Sequence, residues 1–230
     1  RRIFYPFASS VVMQTNDGIE WLNKSIKSSK GIVIENPVIH PLPIPEKRDK
    51  FITNKKIILA VARLSNEKNF SLIIDSFNKL HKDNPEWDLV ILGDGEKKVE
   101  LSQLIKKKGV EDRIFLLGHK RNIYDYMRVS DVFVLSSLWE EVGFVIVEAA
   151  LCNSFIISSD CPNGPKEFLD KGKKGILFES NKKKALLDSL NKFVNMDRNI
   201  IFQNKVSLKK GVKKYTIFRH SLELEKILKL

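Results

Sequence analysis

The sequence has only two cysteines and four histidines in 230 residues. Cys152 and Cys161 fall in neither a C-x-x-C nor a mixed His/Cys ligand spacing, which predicts core or loop thiols in a reducing, cytoplasmic setting. His40, His81, His119 and His220 form no H-x-x-x-H pair, so no protein-bound metal is expected. No Asp-x-Asp pair occurs either, and a carboxylate-held Mg²⁺ on a nucleotide phosphate would lack its usual ligands. No cofactor is expected, and phosphate charge would have to be met by Arg, Lys and helix termini. The P-loop pattern is absent. "GDGE" offers two glycines with Lys98 where a dinucleotide fingerprint needs its third, so a dinucleotide cofactor is poorly supported. Long apolar runs are missing too: "IILAVA", "VFVL" and "FVIV" fall far short of the roughly 20 residues a spanning helix needs. Arg1 and Arg2 stand where Met and a charged start followed by an apolar stretch would stand, which predicts a fragment with no visible signal peptide.

What is present is positive charge and repetition. The net charge is +12, with 40 Lys and Arg against 28 Asp and Glu. That excess fits a polyanionic partner such as nucleic acid, anionic lipid or a phosphorylated ligand. It fits equally well solvated Lys-rich helix faces at 106–108, 182–184 and 209–210. A nucleic-acid module would interleave cations with exposed aromatics. Most of the 14 Phe instead fall in predicted elements, so nucleic acid is not the expected partner.

Short apolar runs alternate with amphipathic stretches. Strands are predicted at 57–62, 88–92, 113–117, 132–136, 154–158 and 175–178, mostly without period-2 alternation, as in strands buried on both faces of a parallel sheet. Helices are predicted at about 70–82, 96–109, 122–128, 144–152, 164–170 and 182–195. The β-α repeat implies an α/β fold with a doubly wound parallel sheet. Earlier, "SSVVMQ", a helix over 17–27 capped by Thr15 or Asn16, and "GIVIEN" form a smaller β-α-β piece. Residues 1–35 thus read as the end of a preceding domain. Residues 36–55 read as a linker, stiffened by Pro37, Pro41, Pro43 and Pro45.

The chemically interesting residues follow the predicted strands: Arg63 the first, Gly93, Asp94 and Gly95 the second, Gly118, His119 and Lys120 the third, Glu140 the fourth, Asp160 the fifth. In an open parallel sheet those loops face one crevice. Arg63 and Lys68 could hold a diphosphate, one by a planar fork and one as a point charge, or could simply pair with Glu67 and other surface acids. In "WEEVGFVIVEA" a helix begins near Gly143 or Phe144, and its unpaired first-turn N–H groups make an anion site. Gly143 would let a phosphate come close to the backbone. Glu148 lies one turn deeper, within reach of ligand hydroxyls. Glu140 lies in the crevice mouth. For each acid the alternative is structural: dipole complementation for one, a solvated loop for the other.

"VARLSNEKNF", "LVILGDGEKK", "IFLLGHKRNIYDYMRVSDVFVLSSLWEEVGFVIVEAALCN", "IISSDCPNGPKEFL" and "GKKGILF" together resemble the C-terminal, donor-binding half of a retaining glycosyltransferase of family four, with the GT-B architecture. A Glu, seven residues and a Glu is that family's signature. The resemblance implies a nucleotide-sugar-binding domain over 56–213, with "YTIFRHSLELEKILKL" (214–230) similar to a terminal helix that crosses back to the first domain. It implies a hexose or N-acetylhexosamine donor on UDP, a glycan or lipid-linked acceptor, and retention of configuration; the basic surface is compatible with peripheral contact at the cytoplasmic face of a membrane and equally with no membrane contact. By the same resemblance Arg63, Lys68, Gly143, Phe144 and Val145 cradle the diphosphate and Glu148 takes the ribose. Glu140 meets the sugar, while Gly93 and Lys120 sit on the nucleoside side. Two departures are visible: Glu141-Val142 stands where Gly-Phe is commoner, and Asn69 where Gly is frequent. A nucleotide-sugar epimerase or a glycosyl phosphorylase shares the architecture. The extra acids and histidines of the one, and the pyridoxal-lysine context of the other, are not seen.

Overall fold

The computed structural model describes residues 3–26, 30–38, 53–180 and 182–228. Most of the predicted linker, residues 39–52, lies outside them. The first unit pairs β1 (Val11–Met13) with β2 (Gly31–Val33) in parallel, joined by α1 (Asn16–Ile26). Thr15 is its cap: the hydroxyl accepts the Gly18 N–H at 3.1 Å.

The second unit is a six-stranded parallel sheet built from β3 (Lys56–Val61), β4 (Trp87–Leu92), β5 (Ile114–Leu116), β6 (Val132–Leu135), β7 (Phe155–Ser159) and β8 (Ile176–Phe178), in the spatial order β5-β4-β3-β6-β7-β8. All six strands agree with the apolar runs. β4, β6 and β7 are buried from end to end, which is why the sequence shows no alternation there.

Helices cover both faces. α2 (Phe70–Asp83), α3 (Lys98–Lys108) and α7 (Ala185–Val194) pack over Ile58, Ala60, Leu89 and Ile91, with Phe77 and Phe155 among the fully buried side chains. On the opposite face α4 (Ile123–Val129), α5 (Phe144–Leu151) and α8 (Arg198–Gly211) pack over Ile57, Leu59, Val90 and Phe133. The odd and even residues of β3 therefore feed two separate cores. A short α6 (Pro165–Phe168) and the C-terminal α9 (Ile217–Leu228) complete the chain.

α8 is absent from the sequence-based reading. Its 14 residues carry Lys and Asn among the apolar positions and bury only Leu208, so the helical period is blurred. Asp197 does mark its start, accepting from the N–H groups of Asn199 and Ile200. Among the described residues no helix is long and apolar enough to cross a membrane.

Glycines decide how closely the strand-end loops approach each other. At Gly93 (φ 142°) an added Cβ would lie 1.8 Å from the Ala62 carbonyl oxygen, and at Gly164 it would lie 1.8 Å from that of Val142. Backbone cannot yield as a side chain can. Gly109, the left-handed C-cap of α3, has nothing within 4 Å of the same position. Gly93→Ala and Gly164→Ala should each cost more than about 2 kcal/mol, whereas Gly109→Ala should cost about 1 kcal/mol for backbone conformation alone. Urea denaturation of the three variants checks the order; equal losses would contradict the packing described.

Candidate functional site

β3 is hydrogen-bonded to both β4 and β6, and the chain winds outward from it in opposite directions. The loops leaving β3 and β6 therefore diverge and open a crevice at the carboxyl ends of these strands, the place where open α/β sheets bind ligands. After β3 the chain passes Arg63 and makes a tight turn, with the Leu64 N–H donating to the Asp94 carbonyl at 2.9 Å. A 3₁₀ turn (Asn66–Lys68) then leads into α2 through Asn69 at φ 50°. This left-handed position explains why Gly is frequent there and why Asn, which tolerates it, can stand in.

The two diverging loops are tied together. The Ser136 hydroxyl reaches the Lys68 carbonyl at 2.6 Å and that of Asn69 at 3.1 Å, and the Leu138 N–H donates to the Glu67 carbonyl at 2.8 Å. This brings the Lys68 ammonium to 2.7 Å from Glu140 Oε1. Glu140 also accepts from the Ser137 hydroxyl at 2.6 Å, and its backbone carbonyl accepts from the Asn163 side-chain amide at 3.0 Å. Only 9% of Glu140 is exposed. It is a buried, paired acid rather than a residue of a wet loop or an open mouth, and Lys68 pairs with it rather than with Glu67. Arg63, by contrast, is exposed.

Next in the chain, Gly143 (φ 70°) caps α5. An added Cβ would meet nothing closer than 3.5 Å, so the glycine serves backbone conformation rather than space. The cleft here has a volume of about 540 Å³ and is lined by Arg63, Lys68, Glu140, Gly143, Phe144 and Val145 among others. Two fixed cations and a helix start thus face one space.

A second cleft of about 710 Å³ adjoins it and shares the wall Val61, Ala62 and Arg63. Gly93, His119, Lys120, Tyr124 and Glu148 line it. The Tyr124 hydroxyl donates to Glu148 Oε1 at 2.9 Å. Burial holds the Glu148 carboxyl above its ordinary range, and the tyrosine bond only partly opposes this. Tyr124 is itself pushed up, first by burial and then by the Glu148 charge, so it remains a hydrogen-bond donor.

Arg63, Lys68, Glu140, Gly143, Phe144 and Val145 line the first cleft and Gly93, Lys120 and Glu148 the second, with Arg63 in both. The two clefts adjoin at the carboxyl end of β3, where the sequence places the crevice. Asp160 lines neither; its carboxylate accepts the Ser180 N–H at 2.9 Å. Asp94 lines the second cleft, but its carboxylate is held by Lys98 at 2.8 Å. Ser137, Asn163 and Tyr124 were not foreseen. The turn-forming "CPNG" hints at the loop that carries Asn163, but no local signal marks the other two. Among the described residues no group of three or more His, Cys, Asp or Glu side chains is placed to hold a metal ion.

The comparisons with known proteins converge. Residues 44–226 match the model of the family described as glycosyl transferases group 1. An uncharacterized glycosyltransferase of Methanocaldococcus jannaschii is 32% identical over 177 residues, covering 73% of this chain and 44% of that protein. The amylovoran biosynthesis glycosyltransferase AmsD of Erwinia amylovora is 31% identical over 179 residues, 77% of this chain and 50% of the relative. In Campylobacter jejuni, an N-acetylgalactosaminyltransferase named for a diphospho-undecaprenol-linked acceptor is 28% identical over 225 residues, 96% of this chain and 61% of the relative. The chain spans about half the length of such relatives. Anabaena HepE, solved with UDP, superposes with a TM-score of 0.84 at 19% identity, covering 99% of this chain and 65% of that one. TarM does so at 0.81 and 20%, covering 99% and 44%. At these identities the likeness to solved structures is one of fold, the Rossmann-like C-terminal half of a GT-B architecture. With the family model spanning the whole parallel sheet and the helices around it, the chain belongs to the glycosyl transferases group 1 family.

Proposed function

We propose that this chain is the donor-binding part of a retaining glycosyltransferase of family four that moves a hexose or N-acetylhexosamine from a UDP-sugar to a glycan or lipid-linked acceptor. The observation that carries this reading is the convergence on one cleft of Arg63, the Lys68–Glu140 pair and the first turn of α5, with Glu148 one compartment away across Arg63. UDP is favoured because HepE was solved with it. A lipid-linked acceptor is favoured by the name of the Campylobacter relative. Such an acceptor would place the enzyme on the cytoplasmic face of a membrane, where the basic surface gains contact with anionic lipid.

In this reading the diphosphate lies against Arg63 and the N–H groups at Gly143, Phe144 and Val145. The ribose reaches Glu148, and the base enters the cleft beside Gly93 and Lys120. As the C1–O bond to the diphosphate lengthens, negative charge builds on the leaving phosphate, and Arg63, Lys68 and the α5 terminus stabilise it. The sugar becomes oxocarbenium-like within reach of the Glu140 carboxylate. The acceptor hydroxyl attacks C1 on the face the phosphate leaves and passes its proton to the departing phosphate oxygen. Configuration is retained. No metal is required, since fixed cations neutralise the leaving group; EDTA should leave UDP affinity unchanged, and a gain beyond about ten-fold with Mg²⁺ or Mn²⁺, or 1.4 kcal/mol, would contradict the reading.

The cations are not equivalent. Charge-assisted hydrogen bonds contribute roughly 1.5 to 3 kcal/mol each, so Arg63→Ala should weaken UDP binding by about ten-fold or more in calorimetric titration. Lys68→Ala should weaken it at least as much, because it also leaves the Glu140 charge facing the diphosphate. Adding Glu140→Gln to Lys68→Ala should restore part of the loss. Unchanged affinity in both single variants would remove the phosphate cradle.

The two acids should separate in one experiment. Glu148→Gln should weaken UDP by about ten-fold, whereas Glu140→Gln should stay within about three-fold of the native affinity, or 0.7 kcal/mol. Because the folded Glu148 carboxyl is held above its unfolded value, its contribution to stability is full below the unfolded value and lost as pH rises through the folded one. Gln escapes that loss. The Tm of Glu148→Gln relative to the native protein should therefore be higher at pH 7 than at pH 4. A Tm deficit that grows with pH, with UDP affinity intact, would mark Glu148 as a structural residue only.

A further inference from the structure

α1 begins with a donor that its own helix cannot satisfy. Thr15 takes the Gly18 N–H, but the first helical residue, Asn16, turns outward to the other unit. Its backbone N–H donates to Glu167 Oε2 at 3.1 Å, and its side-chain amide donates to Glu167 Oε1 at 2.7 Å. Both carboxylate oxygens are used, at the positive end of the α1 dipole. The two residues are 151 positions apart in the chain.

The segment that carries Glu167 also holds the donor-site loop. Asn163, at φ 71°, donates its side-chain amide to the Glu140 carbonyl. Gly164 lies so close to the Val142 carbonyl that a Cβ would stand 1.8 Å from that oxygen. Within five residues, then, one short segment grips the loop bearing Glu140 on one side and the start of α1 on the other. The packing between Gly164 and Val142 is backbone on backbone, so the spacing between the two grips has little room to vary.

We propose that Glu167 is a positioning residue that fixes the amino-terminal unit, through the first turn of α1, in register with the acidic loop of the donor cleft. The inference rests on reading that unit as the end of the acceptor-facing half, since only then does its orientation decide where an acceptor hydroxyl arrives. A second tie lies along residues 35–38, where the Val38 N–H donates to the Tyr215 carbonyl at 2.9 Å and the His220 ring nitrogen lies 2.9 Å from the Glu35 carbonyl. That tie is made to the C-terminal segment, whose Tyr215 packs edge-on against Phe168, and its hydrogen bonds do not involve the acidic loop. Glu167 joins the first turn of α1 directly to the segment that touches Glu140.

The test uses the full protein with spin labels at Glu20→Cys on α1 and Lys192→Cys on α7; Cys152 and Cys161 are buried and stay unlabelled. Double electron–electron resonance should give a narrow distance distribution in the parent. Glu167→Ala should lose the narrow component, and so should Asn16→Asp, which sets two carboxylates face to face. Combining Asn16→Asp with Glu167→Gln reverses the donor and acceptor of the side-chain bond and should bring the narrow component back. Unchanged distributions in the single variants, or no recovery in the combined one, would overturn the proposal. UDP titrations on the same samples keep it separate from the functional reading. If the parent fails to bind UDP, the donor-site reading falls while the distance result stands. If Glu167→Ala loses UDP affinity together with its Tm, Glu167 is a folding residue and the positioning role is wrong.

Discussion

Everything at the site depends on two strands that are neighbours in space and distant in sequence. β3 and β6 pair in parallel, Ile58 opposite Val132 and Leu59 opposite Phe133, and the chain winds away from them in opposite directions. No crossover helix can close over the gap between the loops that leave them. That gap is the crevice, and the residues with chemistry to offer sit there because the strands end there. Burial on both faces holds the frame; the apolar cores above and below β3 make it rigid enough for loops to be placed within hydrogen-bond distance of one another.

Within the frame, Lys68 and Glu140 set the electrostatics. A largely buried pair neutralises itself, so the cleft presents less free positive charge than its residue list suggests, and Arg63 with the α5 terminus provides most of what an incoming anion would meet. The pair also has a cost. Removing two charges from water is repaid only when further hydrogen bonds meet the remaining lone pairs, and at the Glu140 carboxylate Ser137 supplies one, to the same Oε1 that Lys68 contacts. Glu148 shows the other side of the same physics. It keeps one bond, from Tyr124, in a site where burial opposes its charge.

The strands were legible because apolar runs of this length admit few other readings, and the grouping of the strand-end residues was legible because parallel sheets carry their loops at one end. The helix start at Gly143 could be read from one local stretch. Contacts between distant segments could not. Lys68 and Glu140 are 72 residues apart, and sequence offered Glu67 as an equally good partner for the lysine. Tyr124 lies in an amphipathic stretch that reads only as a helix face. Asn163 works through its side-chain amide on a backbone carbonyl, an interaction with no sequence pattern. α8 was missed because its solvent face and core face share too many polar residues to show a period. The short β1 and β2 were found, since the turn residues around them are strong signals even where a strand has only three residues.

The central claim is that the crevice between β3 and β6 holds a nucleoside diphosphate with its phosphates between Arg63 and the start of α5. A crystal structure of this protein with UDP tests it directly. The account predicts the diphosphate within hydrogen-bond distance of the Arg63 guanidinium and of a backbone N–H between Gly143 and Val145, with the ribose hydroxyls on Glu148 and the base beside Lys120. UDP bound with its ribose in the Lys68–Glu140 cleft, or seated away from Arg63 altogether, would contradict it.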